Sequence, residues 1–142
     1  ALHKQSVEIG YFNGEQHVGS EMTLATLATL QEYGTGDGHI PARYTFNMVA
    51  ADKHPVYDIP LRNIVRRGIV TAATKNNTAT FLADIGRFYQ KSIRDLMGNK
   101  SILLENDPIT IRLKGHDSPM IGEGELKMQV GYRTSKNKKV IK

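Results

Sequence analysis

The hydrophobic pattern begins with a period of two and then changes to a period near 3.6. In SVEIGYF, Val7, Ile9 and Tyr11 fall on one side and Ser6, Glu8 and Gly10 on the other, which predicts a half-buried strand over residues 6–12. Asn13-Gly14 then supplies a turn. From Ser20 to Tyr33 the pattern predicts a helix with an apolar stripe through Leu24, Leu27 and Ala28. Ser20 or Thr23 can accept from its free N–H groups, Glu21 suits its positive end, and Gly34 stops it. The glycine-rich run GTGDGHIP predicts a loop over 34–41, and a short helix is expected over 42–51.

Residues 54–60 hold two prolines and are read as a connector. The next helix is expected to start with Asp58 as its cap and Pro60 early, where a missing N–H costs nothing. Leu61, Ile64, Val65, Gly68 and Ile69 are assigned to its inner face, and Arg62, Arg66 and Arg67 fall outside that stripe. Asn76-Asn77 ends it. The clearest amphipathic run is 78–97, where Phe81, Leu82, Ile85, Phe88, Tyr89, Ile93 and Leu96 recur at i, i+3, i+4 and i+7. Beyond Gly98-Asn99 and a loop over 101–108, the chain is read as extended. Ile109, Ile111 and Leu113 alternate, GHDSPMIGEG forms a loop over 115–124, and Leu126, Met128, Val130 and Tyr132 alternate in a closing strand. VEIGY and MQVGY match closely enough to share one sheet. Strand, helices, strand is an α+β order: a small, mostly antiparallel sheet with amphipathic helices packed on one face.

Composition narrows this only a little. At 142 residues and 39% hydrophobic, the chain suits one domain with one modest core, here assigned to residues 1–135 with a basic tail over 136–142. No run approaches the ~18 apolar residues of a membrane span, so no membrane partner is expected. The start, ALHKQSVEIG, lacks the pattern of a signal peptide. Opening on Ala fits a removed initiator Met and equally a fragment. With no cysteine there are no disulfides and no thiolate metal sites. The charge of +5 is concentrated late, since Lys127, Arg133, Lys136, Lys138, Lys139 and Lys142 occur with no acid among them. Such a tail suits either a polyanion or an acidic protein surface, and its plainest reading is a solvated, disordered end.

A search for catalytic chemistry finds little. The five histidines make no i, i+4 zinc pair, and Asp37, His39, His116 and Asp117 read as ordinary loop residues. The glycines of 34–38 follow a helix and lack the Lys-Ser/Thr of a phosphate cradle, so a mobile loop is the simpler reading. Glu123 and Glu125 sit among glycines without apolar flanks to raise a pKa. No enzyme activity, cofactor or metal is expected.

Three segments in order resemble the neck, or head–tail joining and tail-completion, proteins of tailed bacteriophages. The first is MTLATLATLQEYGTGDGHIPARYTF, with Leu27, Ala28, Glu32, Tyr33, Gly34, Ile40, Pro41, Ala42, Arg43 and Phe46 matching the pattern. The second is the long helix with its Ile85-Gly86 pair, and the third is TIRLKGHDSPMIGEGELKMQVGY. Together they cover most of residues 20–132. The family often places a helix before its first strand, and six residues stand there in this chain. It also often has Phe directly after I-P-A-R, where Tyr44-Thr45 precede Phe46 here.

The resemblance implies a structural virion protein of the neck or head-proximal tail, present in the host cytoplasm during assembly. It implies a homo-oligomer, a sixfold ring, that docks on portal–adaptor or tail-tube and terminator proteins, with channel DNA as a further contact. The residues expected to make subunit or partner contacts are Glu32, Arg43, Arg62, Arg66, Arg67, Lys114, His116, Asp117, Lys136, Lys138 and Lys139. Glu32 and Arg43, on either side of the loop, are expected to pair. The alternative reading is a small basic nucleic-acid-binding protein that uses the C-terminal cluster. Salt separates the two, because electrostatic DNA binding weakens steeply with ionic strength. A hydrolase is a weaker third reading, with no residues to assign to it.

Overall fold

The computed structural model describes residues 4–12, 14–50, 55–75, 77–103, 106, 108–115 and 125–142, without the side chains of Pro55, Ile109, Thr110 and Lys114. In chain order the elements are β1 (Val7–Gly10), α1 (Leu24–Tyr33), α2 (Thr45–Ala50), α3 (Pro55–Lys75), α4 (Ala79–Leu96), α5 (Pro108–Lys114), α6 (Glu125–Gln129) and β2 (Gly131–Thr134). The fold is α+β. A two-stranded antiparallel sheet pairs Val7 with Thr134 and Ile9 with Tyr132, and it packs on α4. The first and last segments of the chain therefore share a sheet, although only Val130 and Gly131-Tyr132 of the matching MQVGY run reach it or its edge.

Helix α4 is the organising element. It touches α2, α3, α6 and both strands. Its buried face supplies Ile93 and Leu96 to a core shared with Leu24, Val49, Met97, Leu126 and Val130. Burying each large aliphatic side chain contributes about 1.5–3 kcal/mol. Two glycines allow close packing around this helix. A Cβ on Gly86 would lie 2.2 Å from the Tyr132 ring, and one on Gly68 of α3 would lie 1.9 Å from the Phe81 ring. Polar groups of α4 hold the chain's end: Gln90 Nε2 donates to the carbonyls of Val130 and Ile141, at 2.9 and 3.1 Å, and Arg94 donates to those of Met128 and Val130.

Four expectations are corrected. Helix α3 begins at Pro55, which takes the N-terminal position assigned to Pro60, and Pro60 lies inside the helix. Ile69 faces outward, 50% exposed. Residues 108–114 form a helix rather than a strand: Pro108 opens it, and Gly115, at positive φ, closes it with its N–H on the Ile111 carbonyl. Residues 125–129 are also helical, because Leu126 and Val130 are buried four residues apart while Met128 is 69% exposed. True alternation would have put all three on one side. Between the two candidate caps of α1, Thr23 serves, its Oγ1 accepting from Thr26 N–H at 3.2 Å.

The segment 136–142 does not hang free. It turns back on β2, where Tyr132 and Ile141 exchange backbone hydrogen bonds of 3.0 and 2.9 Å, and Lys142 pairs with Glu15.

Candidate functional site

The expected contact residues fall into three groups. Glu32 and Arg43 lie inside the protein, each 5% exposed, and they do not pair with each other. Glu32 Oε2 accepts from Thr45 N–H at 2.8 Å, from the Thr45 hydroxyl at 2.9 Å and from Phe46 N–H at 3.1 Å. Its Oε1 accepts from Asn47 N–H at 2.8 Å. The first turn of α2 has no acid of its own, so a carboxylate from the end of α1 satisfies its free donors. Arg43 donates to Gln31 Oε1 at 3.0 Å and to Asn106 Oδ1 at 3.3 Å. The motif residues Glu32 and Arg43 thus join α1, the loop and α2 internally, which takes them off any surface a partner could reach. The loop between them is closed as well. Thr35 N–H reaches the Ile40 carbonyl, and Asp37 accepts from the Thr35 hydroxyl and from His39 N–H. These bonds, the Thr35 hydroxyl first, hold the Asp37 carboxyl below its ordinary pKa. Gly34 has φ +74°, and a Cβ there would lie 2.6 Å from the Ile40 carbonyl oxygen, so this turn requires glycine.

The second group is at the surface. Arg62, Arg66 and Arg67 are exposed on α3, with Arg62 Nε donating to Asp58 at 2.8 Å. Lys136, Lys138 and Lys139 are exposed on the turn after β2. The third group cannot be placed: the Lys114 side chain, His116 and Asp117 lie outside the described residues, as do 116–124 of the loop expected to carry contacts.

Two features escape the linear pattern. One is the outer face of α3. This helix rests chiefly on α4, with Leu61, Ile64, Val65 and Gly68 turned inward. Val56, Ile59 and Val70 occupy a stripe on its far side, at 64, 58 and 58% exposure, with Ile69 beside them. The other is the convergence of Arg87 and Lys91 of α4 with basic residues distant in sequence: Arg67 beside both, and Lys136 and Lys139 beside Arg87. The signal for it was modest, since both simply lie off the apolar stripe of α4.

Among the described residues no cluster of His, Asp and Glu could hold a metal, and no helix is long and apolar enough to cross a membrane. Beyond Asp37, the shifted titrations among the described residues are those of Tyr11, Tyr57 and Tyr89, all raised, chiefly by burial. The Tyr11 hydroxyl donates to the Leu126 carbonyl at 2.9 Å, an internal role. Compared with models of protein families, with curated proteins and with solved structures, the chain finds no match in any of the three.

Proposed function

We propose that this chain is a structural virion protein that forms a ring at the head–tail junction of a tailed phage, as a neck, tail-completion or head–tail joining component. The ordered resemblance across residues 20–132 motivates the reading, and the outer face of α3 carries it. Ile59 and Val70 are exposed on this face three turns apart, with Val56 at its start and Arg62 and Arg66 beside them, an apolar surface that association would cover.

Ring closure needs a heterologous contact, in which one face of a copy meets a different face of the next. Residues 5–42 hold five carboxylates and no Lys or Arg. Of these, Glu21 and Asp37 are exposed and make no ion pair among the described residues, and Tyr33 and Tyr44, with ring centroids 6.4 Å apart, are exposed as well. The aliphatic and cationic side of one α3 would meet this acidic, aromatic side of the next copy. The work is done by burial and shape, and the reading asks for no catalysis.

The test is electron microscopy of lysates from a phage that lacks the protein. Separate heads and tails are expected. Complete, infectious particles would overturn the reading.

A further inference from the structure

Three clefts adjoin one another through shared residues. The first, with a volume of 540 Å³, lies between α3 and α4 and presents Arg67, Arg87 and Lys91 beside the rings of Phe81 and Phe88. The second, of 430 Å³, lies between the start of α4 and the C-terminal return and presents Arg87, Lys136 and Lys139 with Thr134 and Asn137. Thr80 and Arg87 line both. The third, of 370 Å³, presents Arg133 and Lys138 and shares Thr134 with the second. The first two form one track, while Glu8 and Arg133 of the third lie on the face of the sheet turned away from α4.

Five Lys and Arg side chains, Arg67, Arg87, Lys91, Lys136 and Lys139, line this track against one lining carboxylate, Asp84. Asp84 pairs with Arg87, Glu8 with Arg133, and Lys91 with Asp95 one turn further along α4. Arg67, Lys136, Lys138 and Lys139 make no ion pair among the described residues. Ala79 and Thr80 also line the track at the start of α4, whose first turn carries no acid to offset its dipole.

We infer that this track binds the phosphodiester backbone of a nucleic acid. Cations spread over two linked clefts suit a chain of phosphates rather than one compact anion. Hydroxyl and amide groups of Thr71, Thr80, Thr134 and Asn137 are the neutral donors that commonly accompany Lys and Arg at phosphates. Phe81 in the first cleft packs on Gly68, so an unpaired base stacking there would meet Phe88. An acidic protein segment would match the same cations and is the competitor in the test. The inference stands apart from the ring assignment, because the track lies within a single copy.

The test is fluorescence anisotropy with labelled 20-mer oligonucleotides, single-stranded and duplex, titrated with the whole chain. For about five neutralised phosphates, raising salt from about 50 to 200 mM should weaken duplex binding roughly 500-fold and single-strand binding roughly 100-fold. Tighter binding of the single strand would assign the aromatic cleft to bases, and tighter binding of duplex would assign the track to backbone alone; either supports the inference. The exposed triple variant Arg67→Gln, Lys136→Gln, Lys139→Gln should weaken binding at least tenfold without a shift in Tm. The control Lys75→Gln, Arg112→Gln, Lys127→Gln removes equal charge away from the track and should change affinity less than threefold. Equal losses in both variants would reduce the binding to net charge and overturn the inference. So would the absence of binding at low salt, or displacement of the oligonucleotide by polyglutamate at equal charge concentration.

Discussion

Helices α3 and α4 lie side by side and are similar in length, at 21 and 18 residues, yet they bury their surfaces very differently. α4 is held by α3, α2, α6 and both strands, and its buried face closes the core. α3 leans on α4 and leaves Val56, Ile59, Ile69 and Val70 at half exposure or more. The apolar burial of the described residues is therefore concentrated along α4, while α3 leaves apolar surface exposed. Two helices similar in length can thus differ in how much of their apolar surface the fold covers.

The sharpest check exchanges equivalent residues on the two helices. Ile93→Ala in α4, 2% exposed, should cost about 3 kcal/mol, because a filled core position is emptied. Ile69→Ala in α3 should stay within about 0.5 kcal/mol in the monomer. Urea unfolding at low protein concentration measures both, and equal losses would break the contrast. A smaller effect is expected where α1 supports α2 beside α4. Glu32→Ala leaves the buried donors of Thr45, Phe46 and Asn47 unmet and should cost about 2 kcal/mol in the same assay. Gly86→Ala should cost about 1–2 kcal/mol, since its Cβ meets the Tyr132 ring, and a smaller residue at 132 should recover part of that loss. The smallest effect belongs to α3. Arg62→Ala breaks only an exposed pair with Asp58 and should change Tm by less than a degree or two, equivalent to at most about 0.5 kcal/mol.

Legibility in the sequence follows the same division. The run from Phe81 to Leu96 was readable because one side of α4 is dry and the other wet, which imposes a single period on the residues. α3 has apolar residues on both faces, so Ile69 was assigned inward when it points out. The alternation in Ile109, Ile111 and Leu113 outweighed a better local signal, Pro108 at the start and Gly115 at the end of a seven-residue helix. In 126–130, one spacing fitted both a strand and a helical turn, and only packing distinguishes them. Glu32 and Arg43 do not form the pair that their positions suggest. The described partners of both include backbone groups and neutral amides, which leave no mark in the sequence. The basic track was less visible still, since it joins Arg67, Arg87 and Lys136 across almost 70 positions of chain.

The pairing of β1 with β2 has a consequence for biosynthesis. Val7 meets Thr134 and Gly10 meets Gly131, so the sheet closes only after the residues between the two strands have been made. Contacts so distant in sequence form late, because the loop between them must be closed before they contribute anything. On a ribosome β1 would wait, unmatched, through the synthesis of the six described helices. Its partner would arrive last and bring with it the residues that Gln90 and Arg94 clasp. Synthesis of β2 would then act as a checkpoint, so that a chain ended before Gly131 lacks its finished sheet.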